Sequence, residues 1–539
     1  MAIYGIDLGT TYSCIAYIDD VGRPTIAKSI AGEDTTPSVV YFESPDNVVV
    51  GQTAKETARL APELVASLVK RQMGQDVEWT YHGRRHTPES ISALILKELA
   101  QAGEAHTGEP VKDVVISVPA YFGIAEREAT RNAGEIAGLH VLNVVPEPVA
   151  AALHYELLAG DVERSILVYD LGGGTFDTTV IRLEGNDVRV VCTDGDHRLG
   201  GADWDERVLS YLLEQLNASN PEADPSDDES FLQDLATAAE QLKKGLSTAQ
   251  SRSYPMRYGG AALKAELTRE HFEELTSELL ERTLEITKRT IDTATDLGVS
   301  HFDEVLLVGG ATRMPAVRSS LQERFGFEAK VFEPDLAVAK GAARFALIES
   351  VKVSLPESEQ GGVSTVSDEA VQRVANQLGL TTATVKDLAE KKITTVVPRA
   401  FGIKVIDSDD PALEREFISH LLEANTALPT DTGPQPYATV VPNQTEIKIE
   451  VWEQSGAVIS KELRDNAHIG EGIITGLPPL PKGSPLHVTF TMDELGRLRV
   501  YAVELSTGKD LHIELVIAGL DEDGVSAARN AVALYAVTE

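Results

Sequence analysis

Two related α/β units followed by an all-β domain are what this sequence predicts, and three observations carry the prediction. A strand, a short turn bearing Gly and Thr, and a second strand occur at residues 2 to 18 and again at 166 to 183, about 160 residues apart. Each copy leads to helical runs with apolar residues at three- and four-residue spacing, such as Glu89 to Ala102 and Glu270 to Leu297. From Pro398 to Ala518 the period falls to two, clearest in Ile447-Lys448-Ile449-Glu450-Val451 and Leu498-Arg499-Val500-Tyr501-Ala502-Val503.

In chain order, apolar runs 2 to 8 and 13 to 18 flank Gly9-Thr10-Thr11, and Ile166 to Leu171 and Thr178 to Leu183 flank Gly172-Gly173-Gly174-Thr175. The second unit closes with a buried strand, Glu304 to Val308, then Gly309-Gly310, a helix from Pro315 to Phe325 and a last helix from Ala337 to Ile348. Residues 1–348 form these two lobes, and 349–397 read as a connector that opens on the polar LPESEQGGVSTVSDE and holds two short amphipathic helices between Asp368 and Lys392. Residues 398–518 are expected to form a β-sandwich and 519–539 one short helix.

A chain of 539 residues exceeds a single core, and 42% hydrophobic with 24% charged residues is a globular composition. Acidic residues outnumber basic ones 84 to 48, and a formal charge of −36 repels nucleic acid and anionic membranes alike. Cys14 and Cys192 have neither CxxC spacing nor histidine neighbours, which argues against structural zinc and a disulfide framework. The opening MAIYGIDLG lacks a basic leader, and no apolar run reaches the ~18 residues of a membrane span, so a soluble cytoplasmic protein is expected.

Glycine lets backbone N–H groups approach a phosphate without a Cβ in the way. Gly9, Thr10 and Thr11 of one unit and Gly172, Gly173, Gly174 and Thr175 of the other can therefore grip one phosphate chain from opposite sides. An acid precedes each turn, Asp7 and Asp170, placed to reach a hydrated Mg²⁺ largely through water. A single Gly-Thr turn is weak evidence, since such turns join strands everywhere; the matched pair with matched aspartates is strong.

The segments IDLGTTYSCIA, VPAYF, EPVAAAL, VYDLGGGTFD, LGGADWD and LVGGATRMP, in that order, resemble the successive signatures of the seventy-kilodalton heat-shock chaperones, densely over residues 1 to about 348 and more loosely over 398 to 520. The resemblance implies an actin-like ATPase fold followed by a β-sandwich peptide-binding domain, with ATP or ADP, Mg²⁺ and K⁺ as cofactors. It makes Lys70 the catalytic lysine at the γ-phosphate or attacking water, Glu147 the acid that orients water or Mg²⁺, and Thr175 the hydroxyl beside the γ-phosphate, with Asp170 in the same catalytic group. It places Tyr12, Gly200, Gly201 and Asp203 around the nucleotide and assigns the adenosine side to Glu240, Lys243, Lys244 and Ser247 and to Gly309, Gly310, Arg313 and Asp335. Glu240, Lys243 and Ser247 share a helical face, which otherwise reads as an ordinary charged one. Pro119 and Arg127 match the family's relay towards the peptide domain. Ile403, Val405, Ile406, Tyr437, Val440 and Ile447 match its apolar peptide contacts; the alternative is that they fill the sandwich core.

Implied partners are extended apolar segments of unfolded proteins, a J-domain co-chaperone and a nucleotide-exchange factor. Several departures bear on them. The helical lid of the family is missing after Gly519, and the long segment 349–397 replaces its short linker, with only Ile393-Thr394-Thr395-Val396-Val397 able to take that part. Asn143 stands where the family has an arginine that meets the J-domain, Pro146 replaces an asparagine before Glu147, and Arg71 to Pro88 is short for its subdomain. A nucleotide-responsive module for one dedicated partner shares these sites. A small-molecule kinase or a filament-forming relative shares the phosphate turns but leaves residues 398–518 without a role.

Overall fold

The computed structural model describes residues 3–539 except 160–162, 223, 356–357, 361–362, 366, 408–409, 411, 413, 457, 495, 515–519 and 521. Both Gly-Thr turns join antiparallel strands, and the sheet around each has the same order. In the first it runs His140–Pro146, Asp113–Val118, Tyr4–Asp7, Tyr12–Ile18, Pro24–Ala27; in the second Lys330–Val331, Glu304–Val308, Arg164–Leu171, Phe176–Glu184, Asp187–Asp196. In each, the first three strands pair in parallel and the last two add antiparallel. The duplication seen in the turns extends to the whole sheet. Val114, Ile116, Leu167 and Val168 are fully buried, as expected for parallel strands covered on both faces.

The units meet through two helices, Glu147–Ala159 and Ala337–Ser354. Their approach is close enough that a Cβ on Gly341 would stand 1.8 Å from the carbonyl oxygen of Ala150, and one on Gly5 would stand 2.0 Å from the Ala343 nitrogen. The expected helix at 89–102 extends over Pro88–Thr107, started by the Thr87 hydroxyl and stopped by left-handed Gly108. The expected helix Glu270 to Leu297 is instead two, Arg269–Leu275 and Ser277–Asp296, interrupted at Thr276.

The connector is packed rather than extended. Its helices are Asp368–Leu378 and Thr382–Glu390, capped by Ser367 and Thr381, with Gly379 at φ +69° ending the first. Val371, Val374, Val385 and Leu388 join the apolar cluster that holds Val188 and the helix Ala337–Ser354. Lys391 and Glu156, both buried, form an ion pair there. Lys392–Thr394 then adds in parallel to Asp187–Arg189 as a sixth strand of the second sheet.

The region of period two forms two antiparallel sheets around one core. One is ordered Glu416–Leu422, Phe401–Ile406, Ile447–Gln454, Asn466–Ile474; in the other Pro485–Met492, Leu498–Glu504 and Lys509–Glu514 follow in turn, with Thr430–Asp431 and Gln435–Ala438 paired on the free side of Pro485–Met492. Phe401, Val451, Val488, Phe490 and Val500 are buried between them, and Ile124 of the first unit reaches the same core.

The tail departs from the expected single helix. Helix Glu522–Ala533 packs on helices Pro88–Thr107 and Ile124–Ile136, and a strand Ala536–Thr538 pairs in parallel with Asn47–Val49. Tyr535, only 3% exposed, is bonded through its hydroxyl to His86 Nε2 at 3.1 Å, and both rings lie against Phe42. Burial, aided by the Arg84 charge, pushes His86 down to about 4 from 6.5. The unfolded chain takes up a proton below pH 6.5 that the fold refuses, so this contribution to stability is complete above pH 6.5 and is lost as pH falls towards 4. The slope reaches at most about 1.4 kcal/mol per pH unit. Urea midpoints taken from pH 7 downwards are expected to fall less steeply for His86→Gln than for the wild type; parallel curves would remove His86 from the titration.

Among the described residues no helix is long and apolar enough to cross a membrane.

Candidate active site

The two turns face each other across the floor of a cavity of about 760 Å³. The first is held by Ser13, whose Oγ accepts from Gly9 N at 3.1 Å, and by Ser38, whose Oγ donates to Gly9 O at 2.8 Å. The second is clasped by the start of helix Gly201–Ser219: Gly201 N donates to Gly172 O at 2.9 Å and Ala202 N to Gly173 O at 2.8 Å. A Cβ on Gly173 would collide with Thr11 and one on Gly174 with Thr10, so the glycines are what lets the turns touch.

Of the residues expected at the nucleotide, Asp7, Gly9, Thr10, Thr11, Tyr12, Lys70, Glu147, Asp170, Gly172, Gly173, Thr175, Gly201, Glu240, Lys243, Lys244, Ser247, Gly309, Gly310, Arg313 and Asp335 line this cavity. Gly174, Gly200 and Asp203 do not line it. Gly174 and Gly200 lie back to back, with a Cβ on Gly200 2.5 Å from Gly174 N. Asp203 turns to Arg71 at 2.5 Å and accepts from Gly200 N at 2.7 Å, closing its own helix.

Lys70 and Glu147, 5% and 7% exposed, pair at 2.6 Å on the cavity floor. Around them the acids are in excess. Burial and the neighbouring Glu147 push Asp7 up to about 7, although Lys70 and a 2.7 Å hydrogen bond from Ser117 pull the other way. Burial and Glu147 likewise hold Asp170 well above its usual range. A cluster short of positive charge, beside paired turns with donors to spare, fits a hydrated Mg²⁺ carried by a phosphate chain. No group of three or more His, Cys, Asp or Glu side chains converges closely enough to hold a metal among the described residues.

At the mouth, Tyr12 lies between two lysines. Lys55 and Lys244 stand 4.9 and 4.7 Å from its ring and each donates to its hydroxyl at 3.0 Å. Both also reach Glu240, at 2.5 and 2.7 Å, and outweigh burial to hold it down at about 2. Lys55 thereby ties the first unit to the second. Lys243 is anchored by Gly201 O and Asp205 at 2.7 and 2.8 Å, and Arg313 pairs with Asp335 at 2.5 Å.

Three side chains beside the cavity escaped sequence reasoning. Arg71 donates to Gly174 O at 3.1 Å besides its pairing with Asp203, crossing from one unit to the other. Lys55 had no neighbouring motif. Asp177, 2% exposed, accepts from Tyr121 N at 3.0 Å and is pushed up to about 7 by burial and Glu147. Its signal was present in the symmetric YDLGGGTFD, with an acid on either side of the turn.

From Asp177 the structure continues to the β domain. Pro119 opens the segment that Arg127, half-buried, ties together through the carbonyls of Phe122 and Ala120 at 2.9 and 3.1 Å. Arg399 of the β domain covers the Tyr121 ring at 4.8 Å and pairs with Glu126 at 3.2 Å, beside buried Glu453. Residues 395–397 bond to the β domain directly after 392–394 leave the second sheet. Asn143 is buried and accepts from Val144 N, and Pro146 ends the strand that delivers Glu147.

Of the six expected peptide contacts, Ile403 and Ile447 are 3% and 5% exposed inside the β core, where they fill it. Val405, Ile406, Tyr437 and Val440 are half-buried, and the Tyr437 hydroxyl meets Ser419 at 3.0 Å. Part of the neighbouring loop, 408–409, 411 and 413, lies outside the described residues.

The family model described as Hsp70 protein matches residues 3–81, 75–359 and 362–530. It therefore covers both duplicated sheets, the cavity, most of the connector and the β region, and the chain belongs to the Hsp70 protein family, a family of chaperones with ATPase activity.

Proposed function

We propose that this protein is an ATP-dependent chaperone: an actin-like ATPase built from the two α/β units, whose nucleotide state controls binding of extended apolar peptide by the β-sandwich. The observation that carries the reading is the closure of two duplicated turns on one cavity, each preceded by an aspartate that lines it, Asp7 half-buried and Asp170 buried.

Thr10, Thr11, Thr175 and the Gly173 N–H hold the phosphates beside Gly172, whose own N–H donates to Thr175 O at 3.0 Å within the turn, while Glu240, Lys243, Lys244 and Ser247 face the adenosine from one side and Gly309, Gly310, Arg313 and Asp335 from the other. Asp7 and Asp170 would hold Mg²⁺ largely through water, and the ion, when bound with the nucleotide, would supply charge against the phosphate oxygens. Lys70 presents its ammonium to the γ-phosphate or the attacking water, and Glu147 fixes both that ammonium and the water's orientation. The work is positioning and charge stabilisation, with no covalent intermediate on the protein. Peptide lies against Val405, Ile406, Tyr437 and Val440, held by main-chain hydrogen bonds, which favours broad apolar specificity. The contacts of residues 392–397 with both the second sheet and the β domain support coupling between the sites.

The test is the dissociation rate of a labelled leucine-rich peptide, first with ADP and then after ATP is added. ATP is expected to speed release severalfold. Peptide binding that ignores nucleotide would mean that the halves work separately, and ATP turnover without peptide binding would favour the dedicated-partner reading.

A further inference from the structure

The tail strand pairs with a strand that ends one residue before the element that carries the clamp at the mouth of the cavity. Ala536–Thr538 pairs with Asn47–Val49; Gly51 follows at φ +98°, and the six-residue helix Gln52–Thr57 delivers Lys55 to Tyr12 and Glu240. A Cβ on Gly51 would stand 3.6 Å from Cγ of Glu539, and the Glu539 carboxylate accepts from Ala31 N at 2.8 Å. Thr35 and Thr36 lie just beyond that loop, and Thr35 lines the cavity. The tail therefore fixes both segments that approach the mouth from the first unit.

The anchorage is substantial for so short a segment. Tyr535 is enclosed by Phe42, His86 and the Arg84 guanidinium, Val532 and Val537 are buried, Lys97 Nζ donates to Tyr535 O at 2.8 Å, and Ala536 N donates to Asp46 O at 2.9 Å. Without the strand, Asn47–Val50 becomes a sheet edge, and the short helix after it loses its brace. A six-residue helix has little stability of its own.

We infer that the strand Ala536–Thr538 is a positioning element for Lys55, so that docking of the tail on the first unit slows nucleotide release. Because the same tail is joined to the last strand of the β domain, a movement of that domain that pulls the strand away loosens the nucleotide. The inference rests on the nucleotide reading of the cavity.

The test uses the full chain and fluorescently labelled ADP, with association and dissociation measured separately. Deleting residues 534–539 is expected to speed dissociation by about three- to tenfold, the scale of losing one partly buried ion pair, with little change in association. If the deletion variant does not fold, Val537→Asp, which places a charge at a buried strand position, takes its place. Tyr535→Phe, which keeps the ring in its cage, is expected to retain the wild-type rate. In a Lys55→Ala background, where release is already fast, the deletion is expected to add nothing. Wild-type release from the tail variant, or full multiplication of the two effects, would overturn the inference; failure of the intact protein to bind labelled ADP would instead sink the nucleotide reading itself.

Discussion

Replacing Lys70 by alanine is expected to slow single-turnover ATP hydrolysis by about a hundredfold or more, the usual scale for losing one preorganised charge contact. Affinity for Mg·ATP should survive. The phosphate turns are held by Ser13, Ser38 and the backbone of residues 201–202, and the mouth by Lys55, Lys244 and Glu240, none of which involves Lys70. The protein should also survive, because Asp7 and Asp170 already lean towards their protonated forms and can neutralise themselves where the ammonium has gone. Quenched-flow measurement of one turnover separates this from binding, and an unchanged rate would remove Lys70 from the mechanism.

The largest effect on stability is expected at Lys391. Its pair with Glu156 is buried at 3% and 5% exposure; the ammonium meets Glu156 Oε1, and Oε2 has no hydrogen-bond partner among the described residues. Lys391→Ala strands a buried carboxylate and should cost about 3 to 5 kcal/mol in urea unfolding, with hydrogen exchange accelerated first in the connector helices. Replacing both partners, Lys391→Met with Glu156→Leu, should recover most of the loss, since an apolar pair of similar volume leaves no charge uncompensated. A single-variant cost below about 1 kcal/mol would mean that the pair behaves as a solvent-exposed one.

What the sequence revealed and what it concealed follow from the range of the forces involved. The hairpins could be read because a Gly-Thr turn between apolar runs is a local pattern, and its repetition pointed to a duplicated sheet. The connector helices showed themselves in the spacing of Val371, Val374, Val385 and Leu388, yet nothing local said that this face would pack on the helix Ala337–Ser354. Three-residue strands such as Ala536–Thr538 have no periodicity of their own; their partner lies nearly 500 residues away. Arg71 looks like a surface charge, and Asp203 in LGGADWD like a nucleotide contact, until the units close, and then they find each other rather than the nucleotide. In the β domain, period two tells which side of a strand faces in, so it could not separate Ile403 and Ile447, which fill the core, from Val405 and Tyr437 at its margin.

The strand Lys392–Thr394 has a second consequence. It covers Asp187, Val188 and Arg189 at the outer strand of the second sheet, where backbone N–H and C=O groups would otherwise point at solvent. Any state in which the connector lifts away uncovers that row, and an uncovered row is a template on which a second chain can pair. The connector is thus also a guard against self-association, and in its absence the task passes to the charge on the surface. With a formal charge of −36, two copies repel one another before their exposed strands can meet, so high salt, which screens that repulsion, is the condition under which the open state should stick to itself.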